Sequence, residues 1–130
     1  RIERQSKNAS RVVDFLKKNN DVSKVIYPSP IDQNSKYFSK GLYGNLIGFH
    51  IDKGYETCKS FIDKLKLFYH VANIGDVRSL AIHPSSTTHS QLSKIDQERA
   101  GVYENYIRLS IGIEHIDDII HDLDNALKSM

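Results

Sequence analysis

The sequence predicts one α+β domain: two layers, with a mixed, largely antiparallel sheet of four or five strands and helices on one face. Three observations carry this. Apolar residues recur at helical spacing in several segments, and short β-branched runs stand between them. Some of the links between those runs are too short for parallel crossovers. The chain has 130 residues, 39% hydrophobic and 26% charged, which is the size and composition of a single domain able to bury a core.

Residues 4–19 read as a helix, because Ala9, Val12, Val13 and Leu16 form one stripe and Asn19-Asn20-Asp21 supplies turn formers. Residues 22–27 are β-branched enough for a short strand, which Pro28-Ser29-Pro30 stops. Residues 31–40 are polar and allow one or two helical turns. Residues 46–51 form the next strand, with Ile47, Phe49 and Ile51 on one face; Gly48 inside it signals close approach by another element.

Tyr55, Cys58, Phe61, Ile62 and Leu65 make residues 54–66 the clearest helix. Cys58 on that stripe reads as a small buried hydrophobe and not a nucleophile. Residues 67–72 and 78–82 suggest two short strands around a turn at 73–76. Residues 83–91 are rich in Ser, Thr and Pro and read as a loop. Ser93 is placed to cap a short helix that Gly101 ends. Residues 106–114 alternate, with Ile107, Leu109 and Ile111 on one face and Tyr106, Arg108 and Ser110 on the other. In the last helix, 115–128, Ile116, Ile119, Ile120, Leu123 and Leu127 face the core, while Asp117, Asp118, Asp122 and Asp124 face away.

With 18 basic and 16 acidic residues the formal charge is +2, which gives no electrostatic reason to expect nucleic acid as a partner. The single cysteine forms no internal disulfide and points to a reducing, cytoplasmic setting. No apolar run approaches a membrane span, so no membrane partner is expected. The chain opens at Arg1 in a helical, charged segment, and is expected to be part of something longer.

Candidate chemistry narrows by elimination. His83 and His89 stand six apart with no metal template, so no metal site is expected. His50 and His70 lie in strands and read as packed or hydrogen-bonded. No Gly-x-Ser-x-Gly elbow or phosphate-cradling glycine run is present. Asp117 and Asp118 are adjacent on a helix and point about 100° apart, which suits a solvated face rather than an acid–base pair. What remains is a binding constellation: Arg108 on a strand, the turn at 73–76 and the hydroxyl-rich loop at 83–91, with Arg108 its one permanent cation on a strand. The arginine's fork can grip a carboxylate by two parallel hydrogen bonds, or it can serve a structural ion pair or a solvated sheet face.

The block Asn73-Ile74-Gly75-Asp76-Val77-Arg78-Ser79-Leu80-Ala81-Ile82-His83-Pro84, then Thr87-Thr88-His89-Ser90-Gln91-Leu92-Ser93, Ala100-Gly101-Val102 and Ile107-Arg108-Leu109-Ser110-Ile111-Gly112-Ile113-Glu114, resembles the C-terminal domain of the Cys/Met-metabolism family of pyridoxal-phosphate enzymes. The likeness runs the length of the chain, through Arg4, Asn8-Ala9 and Gly54-Tyr55, and is greatest to the sulfhydrylase branch.

The resemblance implies that residues 1–130 are a single small domain that closes over substrate. It implies that a large N-terminal domain, outside this chain, binds pyridoxal phosphate and supplies the Schiff-base lysine. No lysine here sits in the family's Ser/Thr-flanked motif, so no catalytic or cofactor-binding residue is expected within the chain. The partners implied are that N-terminal domain and an amino-acid substrate, in a homo-oligomer, a tetramer. Carried over by position, Arg108 binds the substrate α-carboxylate, Asn73 helps to hold it, and Thr88 orients the arginine. The reaction implied is γ-elimination of acetate followed by addition of a sulfur nucleophile. A glutamate that often precedes the Asn73 position in the cystathionine-handling members is Ala72 here, which argues for sulfide or a small thiol as the donor. Another branch of the same family (a cystathionine γ-synthase or methionine γ-lyase), a non-catalytic amino-acid-binding module and an oligomerisation domain are the competing readings.

Overall fold

A computed structural model describes all of residues 1–130. Helix α1 (Ile2–Lys17) leads into strand β1 (Val22–Ile26). Two 3-10 turns, Ser35–Tyr37 and Ser39–Gly41, precede β2 (Leu46–Ile51). Helix α2 (Tyr55–Lys64), the short strands β3 (Tyr69–His70) and β4 (Leu80–Ile82), helix α3 (Lys94–Arg99), β5 (Tyr106–Ser110) and α4 (Ile116–Lys128) follow. The sheet order is β1-β2-β5-β4-β3, antiparallel except for the β3–β4 edge pair. The mixed, largely antiparallel sheet expected from the sequence is the sheet found.

Alternation decides which face is buried. Ile47, Phe49 and Ile51 of β2, Ala81 of β4, and Ile107 and Leu109 of β5 join one apolar cluster. Ala9, Val12 and Leu16 from α1, Cys58 and Phe61 from α2, and Ile119 and Leu123 from α4 close it from above. Three helices therefore cover one face. The short α3 adds nothing to this cluster. Its Ser93 hydroxyl accepts from the Asp96 N–H at 3.2 Å, the expected cap. Cys58 is fully buried, and burial pushes its thiol up to about 12, which suits a packing residue.

The expected close approach at Gly48 is present. Gly48 faces Arg108 in the β2–β5 register, and a Cβ there would lie 2.6 Å from Tyr106 ring atoms. The missing side chain lets the Tyr106 ring lie across the uncovered face of the sheet.

The structure corrects the sequence reading in three places. The strand expected over 67–72 shrinks to Tyr69–His70, because the Val71 N–H turns back to the Tyr69 carbonyl and leaves the ladder. The strand over 78–82 begins at Leu80, because the Ser79 N–H is taken by Glu114 Oε1 at 2.6 Å. Asp122, expected to face water, is only 8% exposed. Its carboxylate accepts from the Lys66 N–H at 2.9 and 3.1 Å and from the Leu67 N–H at 2.8 Å. The position lies at the edge of the α4 stripe, where the chain leaving α2 presents two N–H groups with no strand to join. Asp122→Ala is expected to cost about 1–3 kcal/mol, since it leaves both donors unpaired. Urea unfolding measures this, and an unchanged midpoint would mean that water already serves those groups.

Candidate substrate-carboxylate site

Arg108 projects from β5 on the face opposite the core, between Gly48 of β2 and Ile82 of β4. It is partly buried. Its Nη2 donates to the Ala72 carbonyl, and none of the chain's ion pairs includes it.

Two concavities meet at this guanidinium. One is shallow and open, lined by Ala72, Asn73, Ile74, Gly75, Asp76 and Arg108. The other, about 690 Å³, runs between the sheet and the 3-10 segment, with Gly48, Tyr106 and Arg108 on one side and Asp32, Asn34 and Phe38 on the other.

The two carboxylates that border these spaces are engaged elsewhere. Asp76 accepts from the Arg78 N–H at 2.9 Å and lies 3.5 Å from Arg78 Nε. That backbone hydrogen bond, followed by the Arg78 charge, holds the Asp76 carboxyl below the usual range. Asp32 accepts from the Ser29 N–H at 2.6 Å. Arg108 is thus a cation facing open space with its donors largely unspent.

The segment around Asn73 is built by groups that the sequence reading did not single out. Gly75 takes a left-handed φ of 75°, which redirects the chain. Its N–H donates to Ser110 Oγ at 3.0 Å, and Asn45 Nδ2 donates to the same oxygen at 3.1 Å. Gln5 Nε2 reaches the Asp76 carbonyl at 2.7 Å. Glu114 receives the Ser79 hydroxyl at 2.9 Å, and Asn8 Nδ2 donates to the Gly112 and Glu114 carbonyls at 3.1 and 3.0 Å. Two signals could have pointed to these residues. Ser110 shares the Arg108 face by alternation, and Gln5 and Asn8 stand three apart beside the α1 stripe, both buried.

Arg108 and Asn73 therefore border one concavity. Thr88 is placed differently: it is exposed, and its hydroxyl pairs with His89 Nδ1 at 2.8 Å rather than with the guanidinium. Its loop contains a 3-10 turn, Pro84–Ser86, with Pro84 and Ser85 buried. The loop is pinned by Gln97, whose Nε2 donates to the His89 carbonyl at 2.7 Å and whose Oε1 accepts from the Ser85 hydroxyl at 2.7 Å. His83 is buried, bonded through Nε2 to the Glu104 carbonyl at 2.7 Å and paired through Nδ1 with Ser86 Oγ at 2.9 Å. Burial holds its imidazole below the ordinary range, and it packs edge-on against Tyr55. His50 Nδ1 pairs with Asn105 Oδ1 at 2.9 Å, while His70 is exposed. No helix is long and apolar enough to cross a membrane.

The class of protein follows at this point: the profile of the Cys/Met metabolism PLP-dependent enzymes matches residues 1–128, and the chain belongs to that family. Among particular relatives, it is 50% identical over its whole length to the O-acetyl-L-homoserine sulfhydrylase of Leptospira meyeri, covering 30% of that protein. It is 45% identical over 98% of its length to O-acetyl-L-homoserine sulfhydrylase 1 of Thermus thermophilus, covering 31% of it. A crystal structure from Campylobacter jejuni, described as an O-acetylhomoserine (thiol)-lyase and carrying an N′-pyridoxyl-lysine-5′-monophosphate, superimposes with a TM-score of 0.89 at 44% identity. That superposition covers 99% of this chain and 32% of the other. The chain thus spans about a third of the length of these relatives.

Proposed function

We propose that residues 1–130 form the small, substrate-closing C-terminal domain of an O-acetylhomoserine sulfhydrylase. In this reading the whole protein makes homocysteine from O-acetylhomoserine and sulfide, or methionine from O-acetylhomoserine and methanethiol. Arg108 binds the substrate α-carboxylate in this chain, with Asn73 beside it. The observation that carries the reading is the Arg108 guanidinium, bonded to a single carbonyl and bordered by Asn73, with both nearby carboxylates occupied elsewhere.

Two parallel N–H···O bonds from the guanidinium would fix the position and the rotation of the carboxylate. The Asn73 amide can add a further donor from the side of the turn. Thr88 would have to exchange His89 for the guanidinium to act as its orienter.

The chain's own residues do not fit the cofactor. Every lysine is exposed and none lines either concavity at Arg108. Pyridoxal phosphate would be held by a large N-terminal domain outside residues 1–130, and the chain alone would be inactive. Homo-oligomeric assembly, as a tetramer, would belong to the whole protein.

The choice of branch leans on the relatives and on Ala72. The chain is also 39% identical to an L-methionine gamma-lyase of Fusobacterium nucleatum. The methyl group of Ala72 offers nothing to the distal ammonium of a cysteine-derived donor, which favours sulfide or a small thiol. With O-acetylhomoserine and sulfide, the full-length protein is expected to form homocysteine at least about tenfold faster than it releases methanethiol from methionine. The reverse order would move the protein to the lyase branch.

A further inference from the structure

We propose that Ser110 is a positioning residue for the carboxylate site, acting through the backbone of the turn that carries Asn73. The proposal rests on the reading of Arg108 given above and adds the group that holds its neighbour in place.

The turn is unevenly anchored. Its far end is fixed by the Gln5 amide on the Asp76 carbonyl, the Ile113 N–H on the Val77 carbonyl at 2.9 Å, and the Glu114 carboxylate on Ser79. Its near end, residues 72–75, has two hydrogen bonds. One is the Arg108 guanidinium on the Ala72 carbonyl; the other is the Gly75 N–H on Ser110 Oγ at 3.0 Å. The first is lost if the guanidinium rotates away from Ala72 to meet a carboxylate. Ser110 is then the only remaining hydrogen-bond anchor on the segment that presents Asn73.

The hydroxyl is built for this task. Ser110 is 1% exposed and stands two residues from Arg108 on the same strand. Asn45 Nδ2 donates to Ser110 Oγ at 3.1 Å and to the Ile111 carbonyl at 3.1 Å, while the Ile111 N–H returns to the Asn45 carbonyl at 2.9 Å. The oxygen therefore accepts from two donors, one on Asn45 just before β2 and one on the turn. This fixes the spacing between the Arg108 strand and Gly75, whose left-handed backbone sets the direction of Asn73.

The test uses the full-length protein with Ser110→Ala and Ser110→Cys, each checked for an unchanged circular dichroism spectrum. Amide exchange at Gly75 and KM for the amino acid are both measured. Removing the acceptor is expected to speed Gly75 exchange by about tenfold or more, and to raise KM by about tenfold with a smaller effect on kcat. The cysteine variant, a weaker acceptor, is expected to fall between. Unchanged Gly75 exchange in Ser110→Ala overturns the anchoring role. Faster exchange with unchanged KM overturns the link to substrate, provided that Arg108→Ala raises KM in the same assay. An Arg108→Ala control with unchanged KM sinks the carboxylate reading itself, and so separates the two failures.

Discussion

Replacing Arg108 by alanine in the full-length protein is expected to lower kcat/KM for the amino-acid substrate by about 30-fold to several thousand-fold. That is the scale of about 2–5 kcal/mol for truncating one member of a desolvated charge pair. The direction follows from what surrounds the residue. Asp76 is held by Arg78 and Asp32 by the Ser29 N–H, so the fold contains no carboxylate that loses a partner when Arg108 is removed. The structural cost is one hydrogen bond to the Ala72 carbonyl, and the effect should therefore appear in substrate handling far more than in stability. Arg108→Lys is expected to recover only part of the loss, because an ammonium keeps the charge but not the planar fork. Steady-state kinetics at varied amino-acid concentration check this. An unchanged KM would remove Arg108 from the site.

Gly112→Ala is expected to be the most damaging of the glycine changes in this region. A Cβ at Gly112 would run into the Val77 carbonyl oxygen, the Arg78 backbone and the Glu114 carboxylate. Two of these are main-chain atoms that cannot swing aside. The residue is also tied through its own groups: its N–H donates to Ser79 Oγ at 2.9 Å and its carbonyl accepts from Asn8 Nδ2 at 3.1 Å. Adding one methyl group must push the 77–79 segment off the end of β5, which strains the far anchor of the Asn73 turn. A stability loss of about 1–3 kcal/mol is expected, the range for overpacking a filled site, together with a raised KM. Thermal or urea unfolding reads the first effect and kinetics the second. Wild-type stability would show that the backbone yields at no cost.

Much of the fold was legible because its signals are local. The alternation of residues 106–111 places Arg108 off the core face, and the Gly48 gap inside a β-branched run foretells the Tyr106 contact. What failed was information about partners. The residues of 67–72 have strand-like side chains, but the N–H groups of Lys66 and Leu67 go to Asp122 and that of Val71 turns back on Tyr69. Asp122 itself looks like the other acids of α4 until the chain leaving α2 arrives beside it. In the candidate site, Arg108 stood out by its charge on a strand and the turn at 73–76 as a feature beside it, while the role of Asn73 itself came through the family resemblance. Ser110, Asn45 and Gln5 carry no charge; Asn45 and Gln5 match no motif, and Ser110, though inside the block that carries the resemblance, had no role implied for it. Their importance lies in which backbone groups they meet, at separations of 35 to 71 residues.

The most direct measurement is a crystal structure of the full-length protein with an unreactive amino acid that keeps its α-carboxylate. The expected result has both carboxylate oxygens about 3 Å from the Arg108 guanidinium, with the Asn73 amide alongside and the Gly75 N–H still on Ser110. A carboxylate gripped by a different cation, with Arg108 still bonded to the Ala72 carbonyl, would contradict the central claim.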